Sequence, residues 1–345
     1  MKTKRITASL SCLTLLLCML CGRTMAQSNS CLHQYDFFCG DQLFPGTTSC
    51  ITAGPCLAVC FVPNSSCAPA TAPDETCPTC GKGKGNSTPT AGGGGPISAA
   101  TGNTSIQQTD VRLPGLGGGL KLVRTWNSKW PASQSGFKTG AFGPNWRSTF
   151  EERVFVGSDG YIRYARGDGS FWSFGVATSG WAVAAPANES ATLTQGSSYW
   201  TITFLNGEQR RFDNASGNLI AIIDRNGNTT QLSYDASFRL TTITDPASRH
   251  LSFGYSGSSS YLVTSVTSDV GLSLSYSYDT QGRLIQVTNP DQSTLSFAYD
   301  SQSLITAVTD SQGKILESHT YDSAARGLTS SRANGVDAIT VSYPQ

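Results

Sequence analysis

A chain of 345 residues is long enough for two or three domains, but its 38% apolar share is low for a tightly packed enzyme and predicts a lean core. Charged residues make only 14% and the formal net charge is +1, so nothing in the balance attracts nucleic acid. Gly, Ser, Thr and Asn fill much of the chain, the usage of a turn-rich, strand-rich extracellular protein.

Lys2, Lys4 and Arg5, an apolar run from Ala8 to Cys21 and the small-residue site Thr24-Met25-Ala26 predict a secretory signal peptide over residues 1–26. The run, about 14 residues, is too short to span a bilayer, and no stable membrane span is expected. Lipid attachment at Cys18 or Cys21 is the alternative, but neither follows the small residue it requires. Removing the segment takes four of the 24 basic residues, leaving 20 against 23 acidic ones and a mature charge of −3.

The remaining eight cysteines, Cys31, Cys39, Cys50, Cys56, Cys60, Cys67, Cys77 and Cys80, all precede residue 81. An exported segment over residues 27–80 is too short for an adequate core, so a cysteine-rich disulfide module is expected, each bridge worth roughly 2–4 kcal/mol, with pairing open. Cys77 and Cys80 have metal-ligand spacing, and with Cys56 and Cys60 could hold zinc. A redox-active pair would need a strand–helix setting to lower a thiol pKa, and none surrounds it. No cofactor or metal is implied.

Residues 81–96, GKGKGNSTPTAGGGGP, read as a flexible linker. Neither these glycines nor GLGGGL at 115–120 is followed by the Lys-Ser or Lys-Thr of a phosphate cradle. From residue 97 to 205 short strand-like runs rich in aromatics, such as LKLVRTWNSKW and GYIRYARGDGSFWSF, are cut by Gly, Pro and Asp-Gly turns, which predicts an all-β domain. Trp126, Trp130, Trp146 and Trp172 are read as core aromatics that compensate for a short core, in preference to a sugar-stacking platform.

From residue 206 to 345 an aromatic-Asp dipeptide returns. Phe212-Asp213, Tyr234-Asp235, Tyr255-Ser256, Tyr278-Asp279, Tyr299-Asp300, Tyr321-Asp322 and Tyr343-Pro344 are spaced by 22, 21, 23, 21, 22 and 22 residues, a repeat array. Each unit is expected to be two antiparallel strands. In YDTQGRLIQVTNPDQSTLSFAYD, strict alternation puts Leu284, Gln286 and Thr288 on one face, Arg283, Ile285 and Val287 on the other, and Leu295, Phe297 and Tyr299 together. Asp245-Pro246, Asn289-Pro290, Asp224 to Gly227 and Asp310 to Gly313 carry turn chemistry. Tyr is expected to close a strand by packing across the sheet, and Asp to open the turn by accepting backbone N–H groups.

These residues resemble RHS/YD-repeat proteins. YDTQGRLIQVTNPDQSTLSFAYD matches the family's YD-x-x-G-R-L-x-x-V-T pattern closely, DRNGNTTQLSYD and YDSQSLITAVTDSQG more loosely, and the stretch from GPISAATGN to FWSF is similar to the domain that commonly precedes such repeats. The resemblance implies an antiparallel β-ribbon forming part of a spiral sheet, in many members a hollow shell around a C-terminal toxin, and a link to carbohydrate binding. Here the quoted chain stops at a repeat boundary with no toxin tip, Ser256 replaces Asp, and about a dozen strands make a ribbon near 60 Å wide, which is not expected to close.

No enzyme is expected. His33, His250 and His319 sit in separate units outside any nucleophile or metal motif, and the two later ones are read as strand decoration. Glu151 and Glu152 with Asp159 or Asp168 could suggest a glycosidase pair, but alternation would separate the neighbouring glutamates. Arg166-Gly167-Asp168 is read as an Asp-Gly hairpin turn, not an integrin ligand. The sequons at Asn64, Asn86, Asn103, Asn188, Asn214 and Asn228 matter only in a glycosylating host, whereas signal and family imply bacterial export. The expected protein is a secreted, non-enzymatic β-scaffold acting in cell-surface contact or in a toxin shell. Its expected partners are cell-surface carbohydrate or a missing C-terminal toxin segment. The alternatives are a carbohydrate-binding module and the N-terminal fragment of a polymorphic toxin.

The exported protein should begin at Gln27 and contain no free thiol. Intact-mass analysis before and after reduction and alkylation checks both, and label on any cysteine before reduction would contradict the disulfide expectation.

Overall fold

The computed structural model describes residues 100–130, 136–157 and 159–343, with short strands at Asp36–Phe38, Ala58–Cys60, Thr90–Ala91 and Ile97–Ser98. The signal peptide and the cysteine side chains lie outside the described residues. Of the module and linker, only two ladders are described, Asp36–Phe38 antiparallel to Ala58–Cys60 and Thr90–Ala91 antiparallel to Ile97–Ser98. The chain divides into two compact units, Met1–Asp74 with Val156–Ile162, and Glu75–Phe155 with Arg163–Gln345. The repeat strands and the sheet packed on them belong to the second.

Antiparallel strands dominate the described residues. Nineteen strands, from Arg153–Val156 to Val336–Thr340, form one sheet whose ladders join sequence neighbours, with one isolated antiparallel bridge from Arg153 to Asn218. The dozen strands expected from the repeats alone are exceeded because the strands between residues 153 and 204 join the same ladder and it runs on through residue 206 without a break. A separate three-stranded sheet is built from Ser105–Leu113, Leu120–Asn127 and Trp146–Ser148, with Leu120–Asn127 central.

Strict alternation within the repeat is corrected by the register. Tyr278 pairs with Leu284 and Ser277 with Gln286, so Ile285 is an extra residue with no partner. This bulge puts Leu284 and Val287, three apart, on the same covered face, both fully buried, while Ile285 is exposed. The same shift falls beside Tyr234, Tyr255, Tyr299 and Tyr321. Leu240 with Ile243, Val263 with Val266 and Ile305 with Val308 repeat the buried pair. Each such side chain removed from water contributes roughly 1.5–3 kcal/mol, which is how a sequence poor in apolar residues holds a long ribbon.

The turns close by one scheme at both edges. At Asp279 the backbone N–H donates to the Arg283 carbonyl and the Gly282 N–H to the Asp279 carbonyl, both at 3.0 Å. Asn289, Asp300 and Asp310 head turns of the same form. The fourth turn residue takes a left-handed backbone: φ is 73° at Gly282 and 77° at Gly313, but also 67° at Gln292 and 63° at Ser303. A side chain there meets its own carbonyl, a strain that glycine lacks. Gln292→Gly should therefore stabilise the protein by about 0.5–1 kcal/mol, read as a raised denaturant midpoint at constant m.

Candidate functional site: the turn edge and the covered face

The Tyr-Asp dipeptides act as a clamp that links successive turns. Asp279 Oδ1 accepts the Gln281 and Arg283 N–H groups, each at 2.9 Å, and Oδ2 accepts Arg283 Nε at 2.6 Å. The Arg283 guanidinium then lies over the Tyr299 ring, 4.8 Å from its centroid. The Tyr299 hydroxyl reaches back to donate to the Leu284 carbonyl at 2.7 Å. Asp235, Arg239 and Tyr255 repeat the arrangement, as do Asp322, Arg326 and Tyr343.

Elsewhere parts are exchanged. Tyr234, Tyr278 and Tyr321 donate to the carbonyls of Leu219, Val263 and Ile305 with no arginine over the ring among the described residues. Tyr321 packs instead edge-on against Trp126 at 6.2 Å. Phe212 has no hydroxyl and is buried, and Asp213 bonds the Ser216 N–H and hydroxyl. Asp300 bonds the Gln302 and Leu304 N–H groups.

Burial acts upward on the Asp279 carboxyl, but the Arg283 N–H and guanidinium outweigh it and hold the group below the usual carboxylate range. Burial pushes the tyrosines up, Tyr299 to about 12.

The second centre lies where the three-stranded sheet meets the ribbon. Arg124, wholly buried, donates Nε and Nη2 to Asp110 at 2.5 and 2.8 Å. Tyr276 of the ribbon donates its hydroxyl to the same Asp110 oxygen at 2.8 Å. The guanidinium is caged by aromatic rings: Trp146 at 4.7 Å, Tyr276 at 5.5 Å, Phe142 at 5.6 Å and Phe297 at 6.0 Å. Burial, followed by the Asp110 charge, pushes the Tyr276 hydroxyl well up. Sequence reading passed over Arg124 and Asp110, because an Arg and an Asp on strands ordinarily face water. The one available signal was that Arg124 stands inside the apolar run LKLVRTW.

Other candidates fall apart or find structural partners. Glu151 and Glu152 precede the strand Arg153–Val156 and line one cavity, so the alternation that was to separate them does not apply. Glu152 accepts the Tyr164 hydroxyl at 2.6 Å and Arg210 Nε at 3.2 Å, and burial raises its carboxyl. Asp168 is held by Ser170 within its turn, with the Arg166 guanidinium over Trp172. His250 meets the Thr244 hydroxyl at 3.1 Å. His319 does not decorate the surface: its side chain is wholly buried beside Glu317 at 3.5 Å, in the column that holds Phe297 one repeat earlier and Tyr276 two repeats earlier. Trp126 and Trp146 are fully buried and Trp172 nearly so. His33 and the eight cysteine side chains lie outside the described residues.

A cavity of about 1020 Å³ follows the Tyr-Asp turn edge, walled on one side by the turns and on the other by residues between 136 and 153. Phe137, Arg147, Glu151, Arg153, Phe238 and Tyr261 line it. Glu151 Oε1 accepts the Ala141 N–H at 2.6 Å and sits 3.7 Å from Arg147.

Residues 94–174 match DUF6531, described as a domain of unknown function, and residues 214–250, 262–294 and 278–315 match the RHS repeat. No curated protein matches the chain. Among solved structures, the TcdB2-TccC3-Cdc42 complex is similar at 13% identity over 65% of this chain and 15% of the other, with a TM-score of 0.28. The Photorhabdus luminescens Tc holotoxin pore is similar at 12% identity over 67% of this chain and 14% of the other, with a TM-score of 0.28. The chain thus spans about one-seventh of the length of these structures.

Tyr299→Ala should destabilise by about 3 kcal/mol, Tyr299→Phe and Asp300→Ala by about 1 kcal/mol each. A tyrosine whose folded pKa is raised contributes stability that is complete below the unfolded value near 10 and is lost as pH rises through the folded one. Denaturation midpoints should accordingly fall between about pH 10 and 12, less steeply in Tyr299→Phe. Breaking the buried pair, by Arg124→Leu or Asp110→Leu alone, should cost about 3–5 kcal/mol, and Arg124→Met with Asp110→Leu should recover much of it. Urea titrations read all of these.

Proposed function

Because this chain is an RHS-repeat protein, we propose that it works as a secreted, non-enzymatic β-scaffold, acting in cell-surface contact or as a wall segment of a toxin-associated assembly. The observation that carries this reading is the contrast between the two faces of the ribbon. One face is packed with apolar columns and the caged Arg124. The other runs in cross-strand rows of small hydroxyls: Ser233, Thr242, Ser252 and Thr267 in one row, and Ser265, Ser275, Thr288 and Thr294 in the next. Further along the ribbon the facing hydroxyls of Ser318 and Ser331 bond at 2.7 Å. Such a face stays solvated and strand-forming without charge, and it presents no acid–base or nucleophile constellation, which suits a wall rather than a catalyst. The tyrosines and tryptophans that a carbohydrate platform would expose are mostly turned inward or hold carbonyls, so the scaffold reading is preferred.

Deleting the gene in the organism that encodes it should abolish growth inhibition of neighbouring cells in a mixed-culture assay. Arg124→Leu should behave like the deletion, because the wall loses its cover. Unchanged inhibition in the deletion strain, or a turnover reaction carried out by the purified chain, would overturn the proposal.

A further inference from the structure

Two departures from the repeat rule converge on one wall of the cavity. Phe238 occupies the fourth residue of the Asp235 turn with φ of 60°, where the Asp279 turn has Gly282. The residue is 62% exposed, so neither backbone preference nor burial accounts for phenylalanine there. The next turn along the same edge has lost its Asp to Ser256 and runs two residues longer, and it carries Tyr261, 61% exposed. Arg239 ties the two turns together, donating Nη1 to the carbonyls of Gly257 at 2.8 Å and Ser260 at 2.9 Å. Small or polar residues take the same left-handed position at Ser248, Gln292, Ser303 and Ala325, so what sets these two adjacent turns apart is the pair of large exposed aromatics, Phe238 and Tyr261, which mark a binding site rather than a fold requirement.

The dimensions select the occupant. The lining reaches from Ser216 in the Asp213 turn to Gln281 in the Asp279 turn, four consecutive turns on one edge. Each turn is two strands from the next, about 10 Å, so the trough is about 30 Å long. Spread over that length, the cavity of about 1020 Å³ is a channel narrower than the roughly 10–12 Å diameter of an α-helix, so the occupant it suits is a single extended chain. At about 3.3 Å per residue the trough holds about nine residues.

Charge then sets polarity along the trough. Arg147 faces Glu151 and Arg239 is bonded to Asp235. Arg153 is exposed, holds the Ser216 carbonyl through Nε at 2.9 Å, and has no carboxylate partner among the described residues. We propose that this trough binds an extended peptide segment of about nine residues, with apolar side chains on Phe238 and Tyr261 and an acidic residue against Arg153.

A displayed library of random nonapeptides, panned on the full chain, tests this, followed by fluorescence anisotropy of the enriched peptide. An enriched consensus with one acidic and two or more apolar positions is expected. Phe238→Gly and Tyr261→Ser should each weaken its binding by about tenfold or more. Arg153→Ser should remove the preference for the acid. Phe238→Gly is the discriminating variant: relief of the left-handed strain should leave its thermal midpoint equal to or above that of the parent while binding is lost. Failure to enrich such a consensus, or equal affinity for the parent and both aromatic variants, would overturn the proposal. Soluble glycans from an array binding in place of peptides, with the same loss in Phe238→Gly, would overturn it in favour of a sugar site.

Discussion

Every reversal of the ribbon must return the chain in a register that keeps its few apolar residues on the covered face, since a slip of one residue would turn them all outward. The Asp turn enforces that register. One carboxylate takes up two backbone N–H groups, and in four turns an arginine as well, so the loop length between strands is fixed. The following tyrosine then spans back to the start of the preceding strand. Each unit is thereby measured against the one before, and errors do not accumulate along nineteen strands. The bulge beside each tyrosine completes the device by bringing two apolar residues of a five- or six-residue strand to the same face.

The array still needs a cover, because a single sheet with one apolar face is not stable in water. The three-stranded sheet supplies it, and the contact is unusual in placing an ion pair at its centre. Arg124 and Asp110 pair with each other, with the Tyr276 hydroxyl and with four aromatic faces, which offsets part of the cost of taking two charges out of water, while Arg124 Nη1 stays without an acceptor. A greasy contact could slide along a ribbon of similar repeats, whereas this pair meets a hydroxyl only at Tyr276. The equivalent inner positions one and two repeats later are Phe297 and His319. The pair therefore fixes which repeat the cover sits on.

Where the repeat departs from its rule, it does so locally. The exchange of Asp for Ser256, the longer turn that follows and the phenylalanine in a left-handed turn position all lie on the edge that walls the trough. Along the rest of that edge the turns stay short, and four of them keep their Asp. A ribbon whose stability is a sum of near-identical neighbours can tolerate one altered pair of turns, and this gives such a scaffold room to acquire a site.

The sequence alone determined the period, the strand-and-turn order and the roles of Tyr and Asp, because these rest on contacts within one or two turns of chain: Asp279 bonds residues two and four ahead. It also carried the resemblance to RHS repeats, through the same local signature. Strict alternation misplaced Val287, because a bulge follows from the register between strands and not from the residues of one strand. His319 looked like strand decoration and Arg124 drew no reading, because polarity predicts exposure only until another element covers the position. The trough was not legible either, since its two walls lie about 100 residues apart in sequence, as with Phe137 and Phe238. Those features belong to the tertiary structure because burial and cavity shape are properties of what packs opposite a residue, which no stretch of chain encodes by itself.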